Sequence, residues 1–233
     1  MSPSQVSVII PCYNAGSYIA EAIGSVLAQA AAPLQVIVVD DGSTDDSSVV
    51  LRSFGNKIEY YRQENAGISA ARNAGLAHAH GAFLAFLDAD DIWPVGSLGS
   101  RLAVLAADGG VECVFGAVQQ FISHDIAASR AAFLRVDAAP VPCRLAGSML
   151  IRRAAFARVG LFNTALKVGE TIEWVARAET GQLSMRSVQD VVLMRRVHNS
   201  NTVLRETKHR GDYLRALKSG LDRRRAAEFR GAT

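Results

Sequence analysis

The chain has 233 residues, of which 49% are apolar and 20% charged, and a formal net charge of +3. These totals describe an ordinary globular chain long enough for one large domain, and they exclude a disordered or strongly basic nucleic-acid-binding protein. Cys12, Cys113 and Cys143 are widely spaced and form no CxxC, so buried fillers in a reducing compartment are expected rather than disulfides or a zinc site.

The N-terminus, MSPSQVSVII, shows neither a basic region nor a long apolar one, so no signal peptide is expected. Val6 to Ile10 is an apolar run closed by Pro11 and predicts a buried strand. Cys12 to Gly16 reads as a loop. Ile19, Ile23, Val26 and Leu27 recur at helical spacing and predict an amphipathic helix over 17–30. Pro33 stops it. Gln29, Pro33 and Gln35 also interrupt the most apolar window, Ala22 to Val39, which argues against a membrane span. Gln35 to Val39 predicts a second strand, ending in Asp40 and Asp41. Ser43 and Asp46 resemble a capping box for a helix reaching Phe54. Ile58 to Tyr61 predicts a third strand and Ile68 to His80 an Ala-rich helix ended by Gly81.

Phe83 to Leu87 is then a fourth apolar strand, and it ends abruptly in Asp88, Ala89, Asp90 and Asp91. Acids at the end of such a strand need a cationic partner, because buried unpaired charge is costly. The Asp-x-Asp spacing puts two carboxylates on one side of an extended segment, which suits Mg²⁺ or Mn²⁺ bridging to a phosphate. The alternative is a loop whose acids cap the next helix and face water. The alternation βαβαβαβ implies a mostly parallel, Rossmann-like sheet flanked by helices. In open sheets of this kind ligands bind beyond the carboxyl ends of the strands. Pro11 to Asn14, Asp40 to Thr44 and Asp88 to Asp91 all lie at such ends and should meet at one crevice.

The second half is less regular. Leu98, Leu102 and Leu105 predict a helix, Cys113 to Val118 a strand, and 122–142 an unpatterned loop. Ser148 to Ile151 reads as strand, Arg153 to Val159 and Glu170 to Thr180 as helices, Val188 to Val197 as strand. Leu214, Leu217 and Leu221 mark a last helix. One α/β domain over 1–204 is expected, with a regular half to about 93, a less regular half from about 94, and a basic helical tail over 205–233.

Several stretches together resemble family 2 glycosyltransferases of the GT-A fold: VSVIIPCYNAGSYIAEAIGSVLAQ (6–29), VIVVDDGSTDDS (36–47), AGISAARNAGLAHAHGAFLAFLDADD (66–91), GSMLIRRAAFARVGLFN (147–163) and RRVHNSNT (195–202). The resemblance implies an inverting, metal-dependent enzyme that moves a sugar from a nucleotide diphosphate, typically UDP, to an acceptor hydroxyl of a glycan or lipid-linked precursor. It implies that Pro11, Tyr13 and Asn14 pack against the nucleotide and that Asp41 accepts a hydrogen bond from the base. Arg72 should lie nearby, and the resemblance makes residues to about 93 a donor half and those from about 94 to 204 an acceptor half. Asp88 and Asp90 match the family's DxD motif, Asp88 contacting ribose or metal and Asp90 holding Mn²⁺ or Mg²⁺. His198 is expected near the diphosphate or the metal.

The chain departs from the family at one position. An acidic pair Glu-Asp usually opens the late helix and supplies the base, whereas here the pair reads Glu170-Thr171. Glu170 and Glu173 are therefore the candidate bases, and a non-catalytic or weakened nucleotide-sugar-binding protein is the competing expectation. A dehydrogenase is disfavoured, since PCYNAG after the first strand holds no GxGxxG. The tail's Lys208, Arg210, Arg215, Lys218 and Arg223 to Arg225 interleave with leucines. Such a helix either packs on the domain with a solvated basic face or lies on an anionic membrane surface. A cytoplasmic protein, peripheral at the inner face of the membrane in the latter case, is the resulting expectation, with no nucleic-acid partner.

Overall fold

The computed structural model describes residues 5–127, 136, 139–198, 211, 212, 215 and 218. Strands β1 (Val6–Cys12), β2 (Gln35–Asp40), β3 (Glu59–Arg62) and β4 (Phe83–Phe86) alternate with helices α1 (Ile19–Leu27), α2 (Ser47–Ser53) and α3 (Ile68–His78). All pairings among these four strands are parallel, in the spatial order β3-β2-β1-β4. Helix α4 (Ser97–Ala107) leads to β5 (Cys113–Ile122), β6 (Val141–Cys143) and β7 (Leu150–Arg152). Helices α5 (Arg153–Val159) and α6 (Glu170–Thr180) and the long strand β8 (Met185–Val197) follow. The sheet changes sense at β4, whose next neighbour β7 is antiparallel. β5 then pairs antiparallel with β7 and β6 on one edge and parallel with β8 on the other.

Side-chain alternation along the central strands builds two cores. Val6, Val8, Ile10, Val36 and Val38 face one layer, with Ile19, Ile23 and Val26 of α1, Leu51 of α2 and Leu98 and Leu105 of α4. Ile9, Ile37 and Val39 face the other, with Ala71 of α3, Phe156 of α5 and Trp174 of α6. This is the continuously apolar, doubly covered strand that parallel sheets require.

Three expectations are corrected. β1 runs through Pro11 to Cys12, because at Pro11 only β2 pairs with it; β4 has already diverged after Ile9. No ladder hydrogen bond is lost there, so proline is tolerated inside the strand. Ser43 does not cap α2. The helix starts four residues later, and the Ser43 hydroxyl instead accepts from the Asn14 backbone N at 3.0 Å. β5 continues past Val118 through the polar pair Gln119 and Gln120, because β8 pairs with it to Ile122. The predicted last helix lies almost wholly outside the described residues. Of the tail, Asp212 is buried and accepts from the Lys167 backbone N at 3.0 Å, while Arg215 and Lys218 are exposed.

Helix α3 lies hard against the sheet at Gly75, where an added Cβ would meet Ile9 Cγ2 at 2.5 Å. Gly99, in α4, would meet nothing within 4 Å. Gly75→Ala is expected to lower the unfolding free energy in urea by about 1–3 kcal/mol through overpacking. Gly99→Ala should raise it by about 0.5–1 kcal/mol, because only backbone entropy changes there.

Candidate functional site

The strand ends that carry Pro11 to Asn14, Asp41 and Asp88 to Asp91 converge on one cleft of about 610 Å³. The second half of the chain closes it with Leu145 to Gly147, Lys167 to Ile172, Leu193, Arg195 and His198. Tyr13 is 53% exposed at the mouth, and Asn14 takes a left-handed backbone (φ 50°) that turns the chain after β1. The Asn14 side-chain oxygen accepts from the Thr44 backbone N at 2.8 Å, so the first two loops are tied together.

Asp40 and Asp41 have different jobs. Asp40 is fully buried and accepts from the Ser43 N at 2.7 Å, Tyr60 hydroxyl at 3.1 Å and Arg62 at 3.3 Å. Asp41 lines the cleft. Its Oδ1 accepts from Gln63 Nε2 at 2.7 Å and the Ala66 N at 2.9 Å, and its Oδ2 from the Gly67 N at 2.8 Å. It therefore shapes the 63–67 loop and does not cap α2. Gly67 holds φ 93°, a conformation that glycine adopts without strain.

Arg72 is the electrostatic centre. Its guanidinium is 2% exposed and donates to Asp88 Oδ1 and to Glu170 Oε1, both at 2.5 Å. It also lies over the Phe162 ring, 5.5 Å from the centroid. Burial alone would pull its pKa down; Asp88 first and Glu170 second outweigh that and hold it above the ordinary value. Thr171 donates its hydroxyl to the same Glu170 Oε1 at 3.1 Å. Glu170 Oε2 makes no hydrogen bond among the described residues, so one carboxylate oxygen stays available in the cleft.

Asp90 meets His198, with Oδ2 2.8 Å from the ring Nε2. Asp91 points inward. It is 5% exposed and accepts from the Arg196 N at 2.9 Å. Burial, then the neighbouring charges of Asp90 and Asp88, push its pKa well above the usual carboxylate range. The His198 ring packs against Tyr18, centroids 4.6 Å apart, and Tyr18 donates to Asp125 at 2.7 Å. Burial and that carboxylate raise the Tyr18 pKa to about 12.

No three His, Cys, Asp or Glu side chains gather as a metal-binding group among the described residues. What the cleft offers is the pair Asp90 and His198. Mg²⁺ and Mn²⁺ commonly take one or two protein ligands and complete their shell with phosphate oxygens and water. The pair fits an ion that arrives with a diphosphate, not one held by protein alone.

Glu170 and Glu173 part company. Glu173 is 3% exposed, does not line the cleft, and accepts from Arg177 Nε through both oxygens at 3.1 and 3.0 Å. Arg177 in turn donates to the Val159 and Leu161 carbonyls at 2.6 Å. Glu173 thus fastens α6 to the end of α5, and its spacing to Arg177 is the i,i+4 pattern of a helical ion pair. Sequence reasoning missed Tyr18, Asn65, Lys167 and Arg195, which also line the cleft. Only the fold brings them there.

The Glycosyl transferase family 2 model matches residues 7–160. The chain belongs to glycosyltransferase family 2. The uncharacterized glycosyltransferase RT0329 of Rickettsia typhi is 30% identical over 229 residues, covering 93% of this chain and 71% of its own. The putative teichuronic acid biosynthesis glycosyltransferase TuaG of Bacillus subtilis is 42% identical over 102 residues, covering 42% of this chain and 40% of its own. Among solved structures, S. aureus TarS 1-349 in complex with UDP-GlcNAc is similar with a TM-score of 0.74 at 19% identity, over 94% of this chain and 66% of that one. The same protein with UDP gives 0.70, and this chain spans 64% of it. The chain therefore shares with TarS a mixed α/β fold with a central sheet flanked by helices.

Glu173→Gln is expected to lower the unfolding free energy by about 1–3 kcal/mol, because a buried charged hydrogen-bond pair is broken. A crystal structure of the variant should show Arg72, Asp88 and Glu170 unmoved.

Proposed function

We propose that this protein transfers a sugar from a nucleotide diphosphate, UDP by preference, to an acceptor hydroxyl of a glycan or cell-envelope precursor, with inversion and with Mn²⁺ or Mg²⁺. The observation that carries the reading is the Asp88–Arg72–Glu170 bridge. It sets a strand-end acid of the first half facing a helix-start acid of the second across one cleft, beside the Asp90–His198 pair. The relatives' names and the UDP and UDP-GlcNAc complexes of TarS support the donor class.

In this reading Tyr13 and Asn14 border the base, the 63–67 loop held by Asp41 forms its floor, and Asp88 faces the ribose. Asp90 and His198 would hold the metal ion, which when bound would stabilise the charge that develops on the departing diphosphate. Glu170 accepts the proton of the attacking hydroxyl as its oxygen bonds to the anomeric carbon and the carbon–phosphate-oxygen bond breaks. Arg72 orients Glu170 through one oxygen, leaving the other to face the acceptor. Attack opposite the leaving group inverts the anomeric centre. Thr171 has no basic group, so Glu170 carries the base role alone.

A second reading has its own observation. Arg72 and Thr171 both engage Glu170, which is what a binding protein that has lost turnover would tolerate. UDP release from UDP-GlcNAc and other UDP-sugars separates the two readings.

UDP with Mn²⁺ should raise the melting temperature, and at ~100 times its dissociation constant the gain is about 2.7 kcal/mol. Asp90→Ala should abolish the metal-dependent part of that gain. Glu170→Gln should keep donor binding and cut turnover about 10²–10⁴-fold. Full turnover in Glu170→Gln would remove Glu170 from the mechanism, and a wild type that never releases UDP would favour the binding protein.

A further inference from the structure

We propose that Arg196 is a positioning residue that sets the geometry of the Asp90–His198 pair and thereby the affinity of the cleft for its divalent ion. The inference rests on the reading that the ion enters with the donor diphosphate.

Asp90 lies on a loop. β4 ends at Phe86, and the following turn is held internally by one hydrogen bond, Asp91 N to the Asp88 carbonyl at 3.1 Å. A carboxylate on such a turn has no fixed direction of its own, and metal sites depend on groups that fix their ligands. The end of β8 supplies those groups. Met194 and Ile92 exchange backbone hydrogen bonds at 3.0 and 2.8 Å. The Arg196 backbone N donates to Asp91 Oδ1 at 2.9 Å, and Arg196 Nε donates to the Asp90 carbonyl at 2.8 Å. His198 then meets the Asp90 carboxylate itself. Residues two apart on an extended chain share a side. Arg196 therefore grips the backbone of the residue whose side chain His198 touches, and a shift of Arg196 moves both members of the pair.

The guanidinium is itself fixed. It is 2% exposed and stacks between Tyr18 and Phe121, 5.1 and 4.7 Å from their ring centroids. Its NH1 donates to Ser123 at 3.4 Å, and its NH2 pairs with Glu21 of α1. A planar fork that donates in several directions at once is what an arginine supplies and a lysine does not. Tyr18 also packs on His198, so one aromatic ring supports both the clamp and the histidine.

The test measures bound Mn²⁺ by the loss of its free electron-paramagnetic-resonance signal, at fixed UDP, in wild type, Arg196→Lys and Glu21→Gln. UDP affinity in EDTA and thermal unfolding are measured alongside. Arg196→Lys should raise the Mn²⁺ concentration for half-saturation by about 10–100-fold, with UDP affinity in EDTA unchanged. Glu21→Gln, which touches neither Asp90 nor His198, should raise it by about 2–5-fold. Midpoints within twofold of wild type in both variants would overturn the proposal, even if both melt earlier, since a purely structural role predicts that pattern. If Arg196→Lys does not fold, Glu21→Gln decides alone: an unchanged midpoint overturns the clamp. A wild type that binds no Mn²⁺ with UDP would instead overturn the donor-site reading beneath it.

Discussion

The site depends on one buried cation. Taking a guanidinium out of water costs several kcal/mol unless opposite charge comes with it. Arg72 is satisfied only because Asp88 approaches from the end of β4 and Glu170 from the start of α6. Those acids are 82 residues apart in sequence, and neither would hold its place without the cation between them. Even so, Arg72 Nε is buried without a partner among the described residues. A guanidinium left partly unsatisfied in a packed interior is a cost tolerated where function requires the charge.

The change of sense in the sheet is what makes that bridge possible. Four parallel strands deliver three loops to one end, as their crossover connections dictate. A fifth parallel strand beside β4 would have capped that end with another loop and helix of the same kind. Antiparallel β7 instead sends the chain back, so that α5 and α6 pack on the same face as α3 and Gly169 starts α6 at the cleft. The aromatic cluster of Phe86, Phe156, Phe162 and Trp174 sits beneath this junction. It is the packing that sets the height of α6, and hence of Glu170, above β4.

Much of the first half was legible because its strands are continuously apolar and its acids cluster where those strands end. α5 and α6 were legible to the residue, since helical periodicity in Arg153–Val159 and Glu170–Thr180 is local information. What escaped was information carried by pairing. Gln119 and Gln120 look like a strand's end until β8 lies beside them, and the three-residue β6 has no pattern of its own. The two glutamates show the same limit. Glu170 and Glu173 share a helical face by spacing, yet their fates are separated by Arg72 on one side and Arg177 on the other. The Glu173–Arg177 spacing was a signal in plain sight; the Arg72–Glu170 contact was not. The Asp90–His198 contact was half legible. The resemblance singled out both residues, Asp90 in a DxD and His198 near the expected diphosphate, but that their side chains meet follows only from β8 ending beside the loop.

A division into a donor half and an acceptor half describes the order of the chain better than it describes the site. The first half supplies Asp88, Asp90 and Arg72, but each is held by a residue from beyond α4: Glu170 for Arg72, and through it Asp88, and Arg196 and His198 for Asp90. The family match itself ends at residue 160, before any of those holders. A donor half alone would place its acids at the right strand ends without fixing their directions, and would leave Arg72 with one counter-ion instead of two. The cleft is therefore a property of the completed sheet. The least regular part of the sequence is also the part that turns a cluster of acids into an organised site.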